Sequence, residues 1–189
     1  MTPMVRQPFT MEHALLGFLR EEPEHGYAIY QRLSDPAGLG LVWRIKQSQL
    51  YSLLAKLEEA GYASATIEPQ GSRPPRKVYS LTSSGRQAFQ EWLHSPVQHG
   101  RHLRLEFLAK FYFARRESQN VAAQLIERQR QTCRHWLEQQ QERARNARDQ
   151  PYDWLVHQFR TGQIKAMLEW LDVCAQIDDE STQDTAHGV

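Results

Sequence analysis

Residues 48–82 read SQLYSLLAKLEEAGYASATIEPQGSRPPRKVYSLT, and two periods meet inside them. Leu50, Leu53, Leu54 and Leu57 stand at i, i+3, i+4 and i+7, the mark of one buried stripe on a helix. Ser48 is placed to cap that helix, and Gly61 follows as its C-terminal stop. The period then drops to two. Ala63, Ala65 and Ile67 alternate with Ser64, Thr66 and Glu68; Lys77, Tyr79 and Leu81 alternate with Arg76, Val78 and Ser80. Between the runs lies Pro69-Gln70-Gly71-Ser72-Arg73-Pro74-Pro75, so the reading is a two-stranded hairpin with a long, stiff tip.

Upstream, Met11, Leu15, Phe18 and Leu19 give a first helix its apolar face, and Pro23 to Gly26 end it. Tyr27 to Leu33 is a short second helix stopped by Asp35-Pro36 and Gly38, and Leu41-Val42-Trp43 reads as a brief strand. Downstream, Thr82 caps a fourth helix with Phe89, Trp92 and Leu93 inward. Three helices followed by a hairpin is the winged helix-turn-helix layout. It is expected over residues 9–96, with a turn-rich boundary at Ser95-Pro96-Val97-Gln98-His99-Gly100. The rest changes character, with long stretches of Gln, Arg, Glu, Ala and Leu. Three helices are expected there, over 103–114, 118–148 and 152–177, the last with Ile164, Met167, Leu168, Leu171 and Cys174 on one side. The fold class is therefore mainly α: an N-terminal winged helix-turn-helix domain plus a C-terminal three-helix dimerisation domain over 103–178. Residues 1–8 and 179–189 read as flexible tails.

The 189 residues are 40% apolar and 24% charged, which excludes a wholly disordered chain. Cys133 and Cys174 make neither a disulfide framework nor a zinc site by themselves, and fit a reducing cytoplasm. The apolar run Ala14 to Leu19 is too short to span a membrane. Lys and Arg total 23 against 22 Asp and Glu, a formal net charge of +1. That balance speaks against a polyanion-binding role for the whole chain, and it is an average over unlike parts. From Arg44 to Arg86 seven bases face three acids, a net +4.

That segment contains the face a third helix would offer to a major groove. Opposite the Leu stripe lie Ser48, Ser52 and Ala55, with Gln49 and Lys56 on one flank and Tyr51 on the other. Small residues let a backbone approach base edges. Gln49 suits adenine N6 and N7, while Ser48, Tyr51 and Lys56 suit phosphate oxygens. The wing adds Arg73, Arg76 and Lys77, with no acid between Glu68 and Glu91. Such a finger follows a phosphate backbone. The alternatives are plain: Tyr51 as hairpin packing, Lys56 and Arg86 as solvated charges, and the wing cations as edge-strand protection.

Residues 11–93 resemble the PadR family of bacterial winged-helix regulators. The likeness is carried by His25-Gly26-Tyr27-Ala28-Ile29, by 47–54 with Leu57-Glu58-Glu59-Ala60-Gly61, and by Arg76-Lys77-Val78-Tyr79-Ser80-Leu81-Thr82-Ser83-Ser84-Gly85. Leu103 to Leu108 and Glu169-Trp170-Leu171-Asp172 are similar to the longer C-terminal helical domain of one subfamily. The resemblance implies a homodimer that binds double-stranded DNA at a partly palindromic operator. It implies a repressor released by a small, often aromatic, effector. Val78 departs from the aromatic common in the family, and the wing tip is rich in Pro rather than Gly.

An effector is expected at the junction of the two halves, near Trp92, Phe107, Phe111 and Tyr112; the simpler reading of each is core packing. His94, His99 and His102 lack a fourth spaced ligand and read as surface histidines, so no metal or cofactor is expected. No Gly-rich phosphate loop, metal motif or nucleophile elbow appears, so no enzyme is expected. The competing reading is a protein-interaction adaptor that reuses the winged-helix fold; the basic wing weighs against it.

Overall fold

The computed structural model describes residues 11–70 and 73–186; the side chains of 70, 73, 74 and 178–186 are outside that description. The order is α1 (Glu12–Leu19), β1 (Glu24–His25), α2 (Gly26–Ser34), α3 (Leu39–Val42), α4 (Gln47–Glu59), β2 (Ala63–Gln70), β3 (Arg73–Leu81), α5 (Ser83–His94), α6 (Leu108–Glu117), α7 (Gln119–Asn146) and α8 (Pro151–Ala186). A 3-10 turn over Gly100–His102 and a π-helical turn over Leu103–Phe107 lead into α6. Two compact units result. Of the described residues, one unit holds those up to Leu93 together with 104–113; the other holds 94–103 and those from Ala114.

In the first unit the Leu stripe lies where its spacing puts it. Leu50, Leu54 and Leu57 are fully buried, among Leu15, Leu16 and Phe18 of α1 and Ile29 and Leu33 of α2. Phe113 closes this core, edge-on to Phe18 at 5.5 Å and to Phe89 at 5.6 Å. β2 and β3 pair antiparallel from Ala63↔Leu81 outward. β1 adds to the other side of β3, with Glu24↔Tyr79 and His25↔Val78, so the sheet order is β1-β3-β2.

Four local expectations change. Leu41-Val42-Trp43 is not a strand: Gly38, at φ 58°, turns the chain into α3, and the Trp43 N–H donates to the Leu39 carbonyl at 2.8 Å. Ser48 is not the cap of α4. The helix begins two residues earlier than such a cap would allow, at Gln47, with Lys46 at the N-cap position. The wing strands run further toward the tip than the Pro content suggested. Pro69 falls at the register shift between Glu68 and Gln70, where no ladder N–H is needed. The last helix continues past Ile177 to Ala186.

Thr82 does cap α5: its Oγ1 accepts from the Gly85 N–H at 3.0 Å and donates to the Gly61 carbonyl at 2.7 Å. The fourth helix is thus tied to the stop of α4, where Gly61 supplies φ 74°.

The second unit is an antiparallel pair, α7 and α8, joined by residues 147–150. Ala122, Leu125, Ile126, Cys133 and Ala144 of α7 are buried, as are Thr161, Ile164, Leu171 and Cys174 of α8. Ser118 caps α7, accepting from the Val121 N–H at 3.2 Å, and Pro151 opens α8, where its missing N–H costs nothing. Gln129 of α7 is buried and brackets Val97: its Oε1 accepts the Val97 N–H at 2.8 Å and its amide donates to the Val97 carbonyl. Beside it, Arg128 donates to the His94 carbonyl at 2.7 Å. The turn-rich boundary segment is thereby held on α7.

Candidate nucleic-acid interface

With its Leu stripe inward, α4 presents its opposite side to solvent. Gln47, Ser48, Gln49, Tyr51, Ser52, Ala55 and Lys56 are all exposed. The face expected from helical arithmetic therefore exists as a surface, small and polar along its middle. Two of its members also have structural duties that spacing did not reveal.

Gln49 sits at the third helical position and accepts the Lys46 backbone N–H through Oε1 at 2.9 Å. It is the return half of a capping arrangement, and it satisfies an otherwise unpaired backbone donor. Its amide N–H groups stay outward, so a bidentate contact to adenine requires Oε1 to serve two donors or exchange them. Tyr51 is 39% exposed and close enough to act electrostatically on Tyr79 of the hairpin. A Cβ added at Gly26 would lie 2.6 Å from Cε1 of Tyr51, so the ring rests against the first residue of α2. Gly26 is what lets the two helices of the motif approach.

His25 completes this corner. Its Nδ1 accepts the Ala28 N–H at 3.0 Å, capping α2 with the neutral ring nitrogen. Arg32 at the far end of α2 reaches Glu24 at 2.8 Å and Glu21 at 3.0 Å, and lies over the Phe18 ring. The His25-Gly26-Tyr27 run is thus a joint between β1, α2 and α4.

The wing cations are exposed but not idle. Lys77 donates to Glu58 of α4 at 2.5 Å and lies 5.3 Å from the centre of the Tyr79 ring. The hydrogen bond to Glu58 raises the Lys77 ammonium above its usual range. Burial holds the Tyr79 phenol protonated to higher pH. Arg76 lies 3.7 Å from Glu68 across the hairpin. The +4 of this segment is therefore partly spent in internal pairs, which a charge count does not show. The side chain of Arg73 lies outside the described residues.

The four aromatic positions expected near an effector belong to the first unit. Trp92 and Phe107 are buried; Phe111 and Tyr112 are half-buried. Phe107 and Phe111 stack with centroids 6.1 Å apart, and Tyr112 meets Phe113 edge-on at 5.1 Å. The sequence reading missed their neighbour. Lys110 is buried, its Nζ 5.4 Å from the centre of the Trp92 ring and 3.1 Å from Glu106. Burial lowers its ammonium below the ordinary range, against the pull of Glu106. The only hint was a lysine inside the apolar run Leu108 to Ala114. His99 and His102 meet edge-on at 5.3 Å, and no metal-holding group of three ligands occurs among the described residues. None of the described helices is long and apolar enough to cross a membrane.

A helix pair, a third helix with a free polar face and a strand-flanked hairpin make residues 12–94 a winged helix-turn-helix domain. Residues 15–91 match the model of the PadR-like family of transcriptional regulators. The chain is 34% identical over 123 residues to the negative transcriptional regulator PadR of Bacillus subtilis, covering 64% of this chain and 65% of that one. It is 31% identical over 87 residues to a probable transcriptional regulator of Mycobacterium tuberculosis, covering 46% of this chain and 45% of the other. The matches thus span less than two thirds of either relative. Among solved structures, Bacillus subtilis PadR in complex with operator DNA matches with a TM-score of 0.43 and 28% identity, over 89% of this chain and 98% of that one. The same protein in complex with p-coumaric acid matches with a TM-score of 0.38 and 27% identity, over the same shares.

Proposed function

We propose that this chain is a sequence-specific DNA-binding transcriptional regulator of the cytoplasm, acting as a dimeric repressor on a partly palindromic operator. One observation carries the reading: the outer face of α4 is exposed, small and polar along its middle, while Leu50, Leu54 and Leu57 on its inner side are completely buried. A solvated helix face whose middle residues Ser48, Ser52 and Ala55 are exposed, beside a hairpin with exposed cations, fits a major groove and its flanking phosphates. Ser48, Gln49 and Ser52 face base edges, and Tyr51, Lys56, Arg73, Arg76 and Lys77 serve the backbone. The 34% identity to a negative regulator favours repression over activation. Two heads about 34 Å apart are needed to reach successive grooves, hence a homodimer built by the C-terminal domain.

A small aromatic effector is assigned to Trp92, Phe107, Phe111 and Tyr112. The buried ammonium of Lys110 beside them favours one that carries a carboxylate. The deciding experiment is fluorescence anisotropy with duplex DNA from upstream of the chain's own gene. Tight binding that falls steeply with salt, and exceeds binding to scrambled duplex, is expected. Equal affinity for both duplexes at every salt concentration would sink the proposal and leave the adaptor reading.

A further inference from the structure

Three ring-bearing side chains gather around Gly26, where α2 meets α4. His25 and Tyr27 flank that glycine in the chain, and their rings stack with centroids 6.5 Å apart. Tyr51 of α4 rests on Gly26 itself. Tyr27 is 48% exposed, Tyr51 is exposed as well, and His25 is half-buried. Among the described residues, neither phenol oxygen nor the outer nitrogen of the imidazole has a hydrogen-bond partner. Ring packing needs only the carbon atoms: a phenylalanine at 27 or 51 would make the same contacts. The polar atoms are left for something outside the chain.

The cap of α2 fixes the chemistry of the imidazole. A backbone N–H can only donate, so the Ala28 N–H, 3.0 Å away, obliges Nδ1 of His25 to present its lone pair. The neutral ring must then carry its hydrogen on Nε2, at the outer end. Turning the ring over would break the cap, so this donor is locked in place. The hydroxyls of Tyr27 and Tyr51 can donate beside it. The neighbouring carboxylate is engaged elsewhere, since Glu24 accepts from Arg32 at 2.8 Å. The Ala28 N–H is already taken, so any contact here belongs to the side chains and not to the end of the helix.

We infer, on the DNA-binding reading above, that His25 and Tyr27 join Tyr51 in holding one phosphate beside the groove that α4 enters. His25 donates through Nε2 and the tyrosines through their hydroxyls. Neutral donors of this kind suit a phosphate oxygen, and the first helix of a helix-turn-helix pair crosses the backbone where such an oxygen lies. Two residues outside α4 and the wing thereby become DNA contacts, and they leave a signature of their own. Losing a lysine or arginine contact flattens the salt dependence of binding, because fewer counterions are released. Losing a neutral donor releases none, so affinity should fall while the salt slope stays as it was. The fall should be equal on every sequence, because a phosphate carries no base information.

Full-length variants test this by fluorescence anisotropy over a salt series, on the duplex from upstream of the gene and on its scrambled counterpart, with thermal unfolding alongside. Tyr27→Phe keeps the ring stack and removes one hydroxyl. His25→Ser keeps a good cap for α2 and withdraws the Nε2 donor. Each should weaken both duplexes about 3- to 10-fold, the worth of one hydrogen bond, with the wild-type salt slope and thermal midpoint. His25→Asp caps α2 at least as well and sets a carboxylate against the phosphate, so it should weaken binding further with no loss of stability. Wild-type affinity in either Tyr27→Phe or His25→Asp would overturn the inference and leave DNA binding intact. So would a loss confined to the operator duplex, or one matched by a fall in thermal midpoint. A wild-type chain that binds neither duplex would remove the DNA-binding reading as well.

Discussion

α4 and α8 are built on one plan and differ in what they leave outside. Each buries a stripe at spacings of three and four within its own unit. Opposite that stripe α4 carries Ser48, Ser52 and Ala55, whereas α8 carries Tyr152, Leu155 and Phe159. Burial of the inner stripe makes both helices stable and says nothing of function. Function is written on the outer face, and its chemistry names the partner. Small hydroxyl-bearing residues suit the wet, polar edge of a duplex, where water and direct hydrogen bonds share the contact. Uncharged large residues suit another dry protein surface.

The strongest way to break this contrast is to attack an inner stripe. Leu54→Ala should cost about 2–5 kcal/mol of stability in thermal or denaturant unfolding, while Ser52→Ala two residues away on the exposed face should stay within about 0.5 kcal/mol. Comparable losses from both would mean that the outer face of α4 is structural. Next comes Gln129→Ala, which strands the buried N–H of Val97 and should cost about 1–3 kcal/mol. Hydrogen exchange at Val97 would register the release. Gln49→Ala should relax base preference at one operator position by about 1–3 kcal/mol in binding assays. It should also lower stability by about 0.5–1 kcal/mol through the lost cap, so the two readouts separate its roles. Glu58→Gln frees Lys77 and should tighten binding to unrelated duplex by less than about 1 kcal/mol.

The smallest effect concerns the one charge buried among the described residues, Lys110. Its folded pKa lies below that of the unfolded chain, so between the two values the unfolded chain holds the extra proton. Stability should therefore rise as pH climbs through that window toward 10.5. Denaturant midpoints across the alkaline range should show the rise, and Lys110→Met should flatten it.

How far the sequence could be read follows from how local each feature is. The stripe of α4, the alternation of β2 and β3, and the Thr82 cap are set by residues within a few positions of each other, and they stand as read. β1 escaped notice because two residues, Glu24 and His25, have no period; they are a strand only because β3 lies beside them. Leu41-Val42-Trp43 carried β-formers, yet the turn at Gly38 decided for a helical turn. Of the proposed DNA-facing residues, the exposure of Ser48, Gln49, Tyr51, Ser52 and Lys56 follows from the helical period. The ties of Gln49 to Lys46, of Tyr51 to Gly26 and of Lys77 to Glu58 do not. They depend on where a helix starts and on a hairpin register that joins positions 19 residues apart. The outer row of α8 was equally open to the same arithmetic, and only the inner side was read from it.

The pairing of Lys77 with Glu58 and of Arg76 with Glu68 also changes what salt can do. A free surface cation meeting a phosphate releases the counterion condensed there, and each such release steepens the dependence of binding on ionic strength. A cation that first leaves a carboxylate frees an acid, which then gathers a cation from solution. The two ion movements largely cancel. Lys77 and Arg76 should therefore add less to the salt dependence of duplex binding than their charges imply, and its steepness should come from cations without such an acid.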